Sequence, residues 1–187
     1  MSVMKFSKSI FPILFELICD VYTNDGYNFP RGVIQKAKSI AKYIPEEERL
    51  KDLPEGNPIT VYRADMWQDA RYAYLVKTCP SWTTNKNVAI WFAYRRHRQA
   101  LDWGVTPKFP PCAIWKGEIA RDKIIAYLTG RDEFEVLQHN NVKNLEVLPA
   151  PTEEEINLAF AEHKQHCDET AEMLEKELAE EYQAQDM

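Results

Sequence analysis

The sequence predicts an α+β domain with a mostly antiparallel sheet. Two amphipathic helical patterns precede residue 45, short apolar segments separated by turns fill the middle, and a helical segment without Gly or Pro ends the chain. The chain has 187 residues, 45% of them hydrophobic and 12% aromatic, which suffices for a buried core. We therefore expect one compact domain at residues 1–150 and an acidic helix at residues 151–187.

Two helices are expected ahead of the sheet. Residues 8–22 carry apolar side chains on one broad face, and residues 32–44 repeat them at helical spacing. The first segment has the basic start of a signal peptide, but Glu16 interrupts its apolar run and no small-residue cleavage site follows. It is also too short to span a membrane. We interpret it as a buried helix and expect a cytoplasmic protein.

The predicted strands follow a polar linker, residues 45–58, that holds at most a short helix. Each strand segment is short and rich in β-branched or aromatic residues. They are Ile59–Arg63, residues 77–84 as a strand leading into a turn, and residues 112–120, 122–128, 134–138 and 144–150, of which residues 122–128 could also be a turn. Residues 85–101 are predicted to form a helix, with Thr84 or Asn85 as its N-cap.

The C-terminal helix has a strong start signal, because Thr152 can cap it and three glutamates follow in its first turn. Its apolar stripe is thin, and Lys164 interrupts it. We therefore expect a long surface helix that packs lightly on the body or on a partner. The stripe comprises Ile156, Phe160, Cys167, Ala171, Leu174 and Leu178.

The formal net charge of -6 argues against a nucleic-acid interface spread over the whole surface. Arg95, Arg96 and Arg98 nevertheless form a local basic cluster. A nucleic-acid partner is therefore kept as an alternative that ranks below a protein target, and no membrane partner is expected.

The cysteines and histidines give no recognisable metal or redox motif. The four cysteines are Cys19, Cys79, Cys112 and Cys167, and because no two of them form a CxxC pair we expect reduced thiols. His163, His166 and Cys167 have a spacing that could hold a metal, but no fourth ligand is evident, so we predict no metal site. The glycine signatures of Rossmann and P-loop nucleotide sites are absent from the sequence.

Two carboxylates stand at the start of one predicted strand. Residues two apart in a strand point to the same side, so Glu133 and Glu135 are expected to share a face despite their repulsion. They could belong to an exposed face of an acidic protein. They could also line a pocket that acts on a sugar, since a carboxylate stabilises the oxocarbenium-like cation formed when a glycosidic bond breaks.

Three segments in a fixed order carry a family resemblance. Arg63 ends a strand, Ser81–Thr83 forms a Ser-x-Thr turn before a helix, and residues 133–135 read Glu-Phe-Glu. Phe92 follows Ser81 by eleven residues, and Arg95 comes three residues later. This arrangement resembles the mono-ADP-ribosyltransferases of the Arg-Ser-Glu class, which include clostridial-type binary toxins and phage transferases.

The resemblance covers roughly residues 59–148 and implies split antiparallel β-sheets. It also implies a NAD-dependent enzyme that transfers ADP-ribose from NAD to a macromolecular acceptor, first of all a protein arginine, and releases nicotinamide without a metal. Such a protein would act in the cytoplasm, and in the host cytoplasm if a phage encodes it.

Chemistry and resemblance together suggest roles for four charged residues. Glu135 is expected to stabilise the ribosyl cation, and the resemblance gives Glu133 the task of orienting or deprotonating the acceptor. Arg63 and Arg95 are expected to bind the pyrophosphate of NAD, because a guanidinium forks onto phosphate oxygens.

The resemblance implies the remaining roles. Phe92 would stack on the nicotinamide, and backbone groups near Ala64 would hold its amide. The hydroxyls of Ser81 and Thr83 would fix the glutamate and the ribose. Tyr127 would be the aromatic residue of a target-recognition turn.

The match departs from the family pattern at three positions. Trp82 replaces a hydroxyl residue, Ala64 stands where many members have Gly or Arg, and Phe134 is the spacer between the glutamates. Each signature residue also has a structural explanation as an ion pair, a turn or a core residue. Two alternatives stay open: a NAD glycohydrolase or nucleic-acid transferase on the same fold, and a non-catalytic partner-binding module with a vestigial pocket.

Overall fold

The computed structural model describes residues 12–15, 17–19, 31–129 and 133–185, without the side chains of residues 31–32 and 174–185. It confirms the α+β class, with a six-stranded antiparallel sheet and a long C-terminal helix. The helices are α1 (residues 12–15 and 17–19), α2 (Arg31–Ala41), α3 (Glu46–Arg49), α4 (Ala73–Val76), α5 (Lys86–Asp102) and α6 (Glu153–Gln185). The strands are β1 (Ile59–Asp65), β2 (Ser81–Thr83), β3 (Ala113–Ile119), β4 (Ile124–Leu128), β5 (Glu135–Gln138) and β6 (Lys143–Val147).

The sheet has the strand order β4-β5-β2-β1-β3-β6. Strand β1 pairs with β3 along its whole length, but its ladder with β2 consists of the single Cα pair Tyr62–Thr83. The sheet therefore narrows between one half made of β4, β5 and β2 and another made of β1, β3 and β6.

The core is divided by the sheet. On one face Val61, Trp82, Trp115 and Val136 form a cluster that spans both halves. On the other face, α1 and α2 pack against Leu137 and its neighbours in β4. The same face carries α5 and α6 over β1 and β3, where Ile90, Ile114 and Ala159 are buried together. Strand β2 thus lies between two separate helical layers.

Most element bounds agree with the sequence to within a few residues. Strand β1 continues two residues past Arg63, and α2 ends at Ala41, three residues before the predicted end. The described part of the first predicted helix is helical, and its remaining residues lie outside the described ones. The 3-10 turn Ala70–Tyr72 and helix α4 were not predicted.

The two cap predictions can be checked directly. Asn85, rather than Thr84, caps α5, since its side chain accepts a hydrogen bond of 2.8 Å from the amide of Asn87. At the start of α6, Thr152 accepts from the amide of Glu155 at 3.2 Å, and the Glu155 carboxylate accepts from the amide of Thr152 at 2.8 Å. This reciprocal pair is a capping box.

The predicted apolar stripe of α6 is only partly correct. Ile156 is buried and Phe160 is half-buried against α5, but Cys167 and Ala171 are exposed. Leu174 and Leu178 lie outside the described side chains. The stripe fails after the first turns because α6 runs from Asn157, bonded to Arg98, towards the start of α5, where Glu162 accepts from Asn87.

Among the described helices, none has the length and apolar character needed to cross a membrane. The four cysteines, all of them described, carry thiols and no disulfide bonds.

Candidate functional site

Two of the predicted segments meet at the junction of β2 and β5. Thr83 and Glu135 are Cα partners across these strands and are 7% and 5% exposed. The Thr83 hydroxyl donates a hydrogen bond of 2.6 Å to the carbonyl of Glu133 and accepts one of 3.1 Å from the amide of Asn85. The Ser-x-Thr turn, the start of α5 and the Glu-x-Glu segment are therefore joined through one side chain.

The two glutamates do not share a strand face, so that prediction is wrong. Strand β5 begins at Glu135, and Phe134 has a left-handed backbone with φ of 49°. This conformation breaks the alternation of side chains that a strand would impose. Glu135 is buried whereas Glu133 is half-buried, and the Phe134 carbonyl accepts a hydrogen bond of 3.0 Å from the amide of Thr84.

Strand register places Arg63 and Glu135, the predicted catalytic glutamate, on opposite faces of the sheet. Tyr62 pairs with Thr83, which pairs with Glu135, so these three residues lie on one face of the sheet. Ser81 is two residues from Thr83 and lies on that face as well. Arg63 pairs with Trp115 and belongs to the opposite face. The strands therefore do not bring all the predicted residues to one face of a cleft.

Arg63 nevertheless reaches the segment that carries Ser81. Its Nη1 atom donates a hydrogen bond of 2.7 Å to the Ser81 carbonyl, and its Nε atom lies 3.2 Å from an Asp65 carboxylate oxygen. The side chain of Arg63 is 27% exposed. Because the β1–β2 ladder has a single pair, this guanidinium supplies a cross-strand bond beyond that pair and stays accessible on part of its surface.

Phe92 and Arg95 lie next to each other on α5. The guanidinium carbon of Arg95 is 4.5 Å from the centroid of the Phe92 ring and 5.0 Å from that of Trp91. Trp91 in turn stacks on His163 of α6 with centroids 3.7 Å apart. The predicted nicotinamide platform is thus already covered on one side by a cation, and Trp91 and His163 are neighbours that the motif did not indicate.

The predicted phosphate-binding arginines, Arg63 and Arg95, both lower the pKa of the Cys112 thiol. Burial raises the pKa of Cys112, and the Asp65 carboxylate adds to this, whereas the guanidiniums of Arg96, Arg63 and Arg95 lower it. Each of these three guanidiniums is therefore near enough to Cys112, just before β3, to act on its thiol. Arg96 was noted in the sequence only as part of a basic cluster, since spacing alone did not link it to Arg63.

Cys79 lies at the same end of the sheet. Its sulfur is 3.8 Å from a carboxylate oxygen of Asp65. Burial raises the pKa of this thiol, the charge of Arg63 lowers it, and Asp65 raises it further. Ala64, the residue between Arg63 and Asp65, packs with the cluster under α5.

Tyr127 does not lie on a target-recognition turn, so that prediction is wrong. Tyr127 lies within β4 and is buried, and its hydroxyl is 3.0 Å from that of Thr84. Strand β4 extends to Leu128 because Leu128 pairs with Glu135. A buried tyrosine of this kind holds the turn after β2 and does not offer a ring to a macromolecular target. Residues 130–132 of the expected turn lie outside the described residues.

A hollow of about 310 Å³ lies between α1, the segment that ends in α3, and β4. Of the predicted site residues, Tyr127 is the one that lines it. The other lining residues are Pro12, Phe15, Cys19, Ile44, Glu48, Arg49, Ala126 and Leu128. This hollow and the proposed NAD-binding residues are therefore largely separate.

His163, His166 and Cys167, the possible metal ligands noted in the sequence, do not form a compact cluster on α6. The Cys167 sulfur lies 3.6 Å from Nε2 of His163, and the His166 ring faces the edge of Phe134 at 5.9 Å. Within the part of the chain that the structure describes, no three or more His, Cys, Asp or Glu residues are grouped as metal ligands would be.

Comparison with protein-family models, with curated proteins and with solved structures finds no significant match.

Proposed function

We propose that the protein is a mono-ADP-ribosyltransferase that uses NAD and modifies a protein arginine. The observation that carries this proposal is that the Ser81–Thr83 segment contacts both of the other signature segments. Its Ser81 carbonyl accepts a hydrogen bond from Arg63, and Thr83 lies opposite Glu135. Arg63 and Glu135, which are distant along the sequence, thus both contact the Ser81–Thr83 segment.

The buried carboxylate of Glu135 suits the cleavage of the bond between nicotinamide and ribose, which is the difficult step of this reaction. When the bond between nicotinamide and the ribose C1′ breaks, its electron pair leaves with the nicotinamide nitrogen and a ribosyl cation forms. A carboxylate in a site with little water stabilises that charge more than one in bulk solvent.

The arginine cluster suits the pyrophosphate. Arg63 is held by Asp65 and the Ser81 carbonyl but remains partly exposed, and Arg95 and Arg96 act on the same thiol as Arg63. Charge-assisted hydrogen bonds to phosphate contribute about 1.5–3 kcal/mol each. In this proposal the dinucleotide passes around the narrow β1–β2 junction, because Arg63 and Glu135 belong to opposite faces of the sheet.

Glu133 is proposed to accept the proton that the transfer releases. The acceptor nitrogen attacks C1′ with its electron pair and must lose a proton, which a carboxylate can accept. Glu133 is half-buried and lies outside β5, so it can serve a different function from Glu135. The narrow β1–β2 junction also supports the finer part of the fold prediction, a sheet split into two halves.

Release of nicotinamide from NAD by the purified protein is the direct test. Glu135→Gln keeps the shape of the side chain but removes its charge, and we expect turnover to fall by about 10²–10³-fold. Glu146→Gln, on the edge strand β6 and ion-paired with Lys116, is the matched control and should retain turnover. Normal turnover by the Glu135 variant would disprove the role of that residue.

Two further measurements separate this proposal from its alternatives. NAD at millimolar concentration should raise the melting temperature, because a ligand that binds only the folded state stabilises it, whereas a vestigial module should show no shift. With labelled NAD and a cell lysate, a labelled protein is expected. Label in nucleic acid, or label found only in free ADP-ribose, would instead support the other two enzymatic functions.

A further inference from the structure

The segment that follows α5 exposes large apolar side chains. Trp103 is 72% exposed and Phe109 is 80% exposed, and Val105 between them is also exposed. Single exposed apolar residues are common on soluble proteins, but two aromatic rings six residues apart on one short segment are more than that background.

The same part of the chain is basic in an acidic protein. Residues 95–108 contain Arg95, Arg96, Arg98 and Lys108 against a single acidic residue, Asp102, whereas the whole chain has a net charge of -6. Arg96 and Lys108 are exposed. We call residues 95–109 the basic aromatic strip.

Both ends of the exposed segment are fixed to the body. After Trp103, Gly104 has φ of 68°, and the amide of Val105 donates to the carbonyl of Ala100 at 2.9 Å, which closes the helix with a Schellman-type bond. At the other end, the Gln68 side chain donates to the carbonyl of Pro111 at 3.1 Å. The rings are therefore presented from a segment whose ordering cost is partly met before any partner binds.

We propose that the basic aromatic strip binds single-stranded nucleic acid. Such strands are recognised by aromatic rings that stack on bases and by cations that follow the phosphates, and the strip offers two exposed rings and the exposed cations Arg96 and Lys108. Six residues cover at most about 20 Å, which corresponds to a few nucleotides of an extended strand. A duplex would hide its base faces from Trp103 and Phe109. An acidic protein would match the charge but leave the two rings without stacking partners.

This binding does not depend on the proposed transferase activity. Trp103 and Phe109 have no part in the NAD chemistry, so the strip can bind a strand even if the protein does not react with NAD. Failure of either proposal therefore leaves the other one intact.

Fluorescence anisotropy with the full chain tests the proposal. The probes are labelled 20-nucleotide oligothymidine and oligouridine, with a duplex of equal length and heparin as competitors. We expect saturable binding of a single strand, displacement by unlabelled single strand, and at least tenfold weaker competition by duplex and by heparin per unit charge. No saturable binding at low salt would overturn the proposal, and so would equal competition by heparin, since that would indicate charge alone.

The variants separate stacking from charge. Trp103→Ala combined with Phe109→Ala should weaken single-strand binding at least tenfold, whereas Tyr43→Ala, at an exposed aromatic residue in the turn after α2, should not change it. Lys108→Ala should reduce the slope of log affinity against log salt by about one, and Lys36→Ala on α2 should leave it unchanged. Unaltered affinity of the double variant, with an unaltered melting temperature, would also overturn the proposal.

Discussion

The hydroxyl of Thr83 donates a hydrogen bond of 2.6 Å to the carbonyl of Glu133, a residue fifty positions later in the chain. The same oxygen accepts from the amide of Asn85, which caps α5. One side chain thus orients the entry to β5 and the start of the helix. Its replacement therefore tests whether the turn after β2 acts as a structural unit.

Thr83→Val keeps the side-chain shape but removes the hydroxyl. Because the half-buried Glu133 carbonyl and Asn85 amide each lose a partner, we expect the free energy of unfolding to fall by about 2 kcal/mol. Urea denaturation measures this loss. Thr78→Val, which removes an exposed local hydrogen bond to the Leu75 carbonyl, is the matched control and should cost much less. Equal effects of the two variants would contradict the role of Thr83.

Arg63→Lys keeps the charge but removes the planar fork. A lysine cannot hold the Asp65 carboxylate and the Ser81 carbonyl with the same geometry, so its charge is no longer aimed in one direction. We expect the affinity for NAD to fall about tenfold, roughly the loss of one charge-assisted bond. The NAD-induced shift in melting temperature measures this effect.

Arg71→Lys is the control for that measurement. Arg71 forms an ion pair with Asp69 that is far more exposed than the Arg63–Asp65 pair. If both substitutions weaken NAD binding equally, the loss does not come from the position of Arg63.

Gly117→Ala tests the packing between β3 and β6. A Cβ atom at this position would lie 2.4 Å from Cγ1 of Val142 and 3.2 Å from the carbonyl oxygen of Lys143. Such crowding forces a shift of the strands, so we expect about 1–3 kcal/mol of destabilisation and a melting temperature several degrees lower.

Val142→Ala removes the atom that the new methyl group would meet. The double variant should therefore lose less stability than the sum of the two single variants, as thermal unfolding of all three can show. Strict additivity would mean that the clash is relieved elsewhere.

The thiol of Cys79 should react slowly with iodoacetamide until the pH is well above neutrality. Burial and the Asp65 carboxylate raise its pKa, while Arg63 lowers it, so the reactive thiolate forms at a higher pH than in an ordinary cysteine. Peptide mapping by mass spectrometry across a pH series gives the apparent value, with the exposed Cys167 as internal standard.

Arg63→Gln should raise the apparent pKa of Cys79 further, because the variant removes the cation that favours the thiolate. A lower value in this variant would show that the guanidinium does not act on the sulfur.

Much of the fold follows from local sequence patterns. Helical periodicity predicted α2, α5 and α6, and alternation with β-branched residues predicted the strands, because both signals depend on neighbours a few residues apart. The Thr152 cap of α6 was predicted for the same reason. Helix α4 was missed, since its four residues are too few to produce a period.

The motif predicted which residues to examine but not how their side chains are directed. The sequence treated Glu133 and Glu135 as strand neighbours, and the left-handed Phe134 between them removed that relation. It assigned Tyr127 to a target-recognition turn, although residues 122–128 were also a candidate strand, and pairing of Leu128 with Glu135 continues that strand past Tyr127. The left-handed conformation of Phe134 leaves no mark in the local pattern of apolar and polar residues.

By itself, the sequence determined the α+β class, the acidic character, the sites of the helix caps and the identity of the charged residues, all of which depend on composition and short-range spacing. Tertiary structure decided that Thr83 pairs with Glu135, that Arg63 lies on the opposite face yet bonds the Ser81 carbonyl, and that Arg95 covers Phe92. The physical reason is that the face of a strand residue is set by the register of its partners, and register is fixed by contacts between distant segments of the chain.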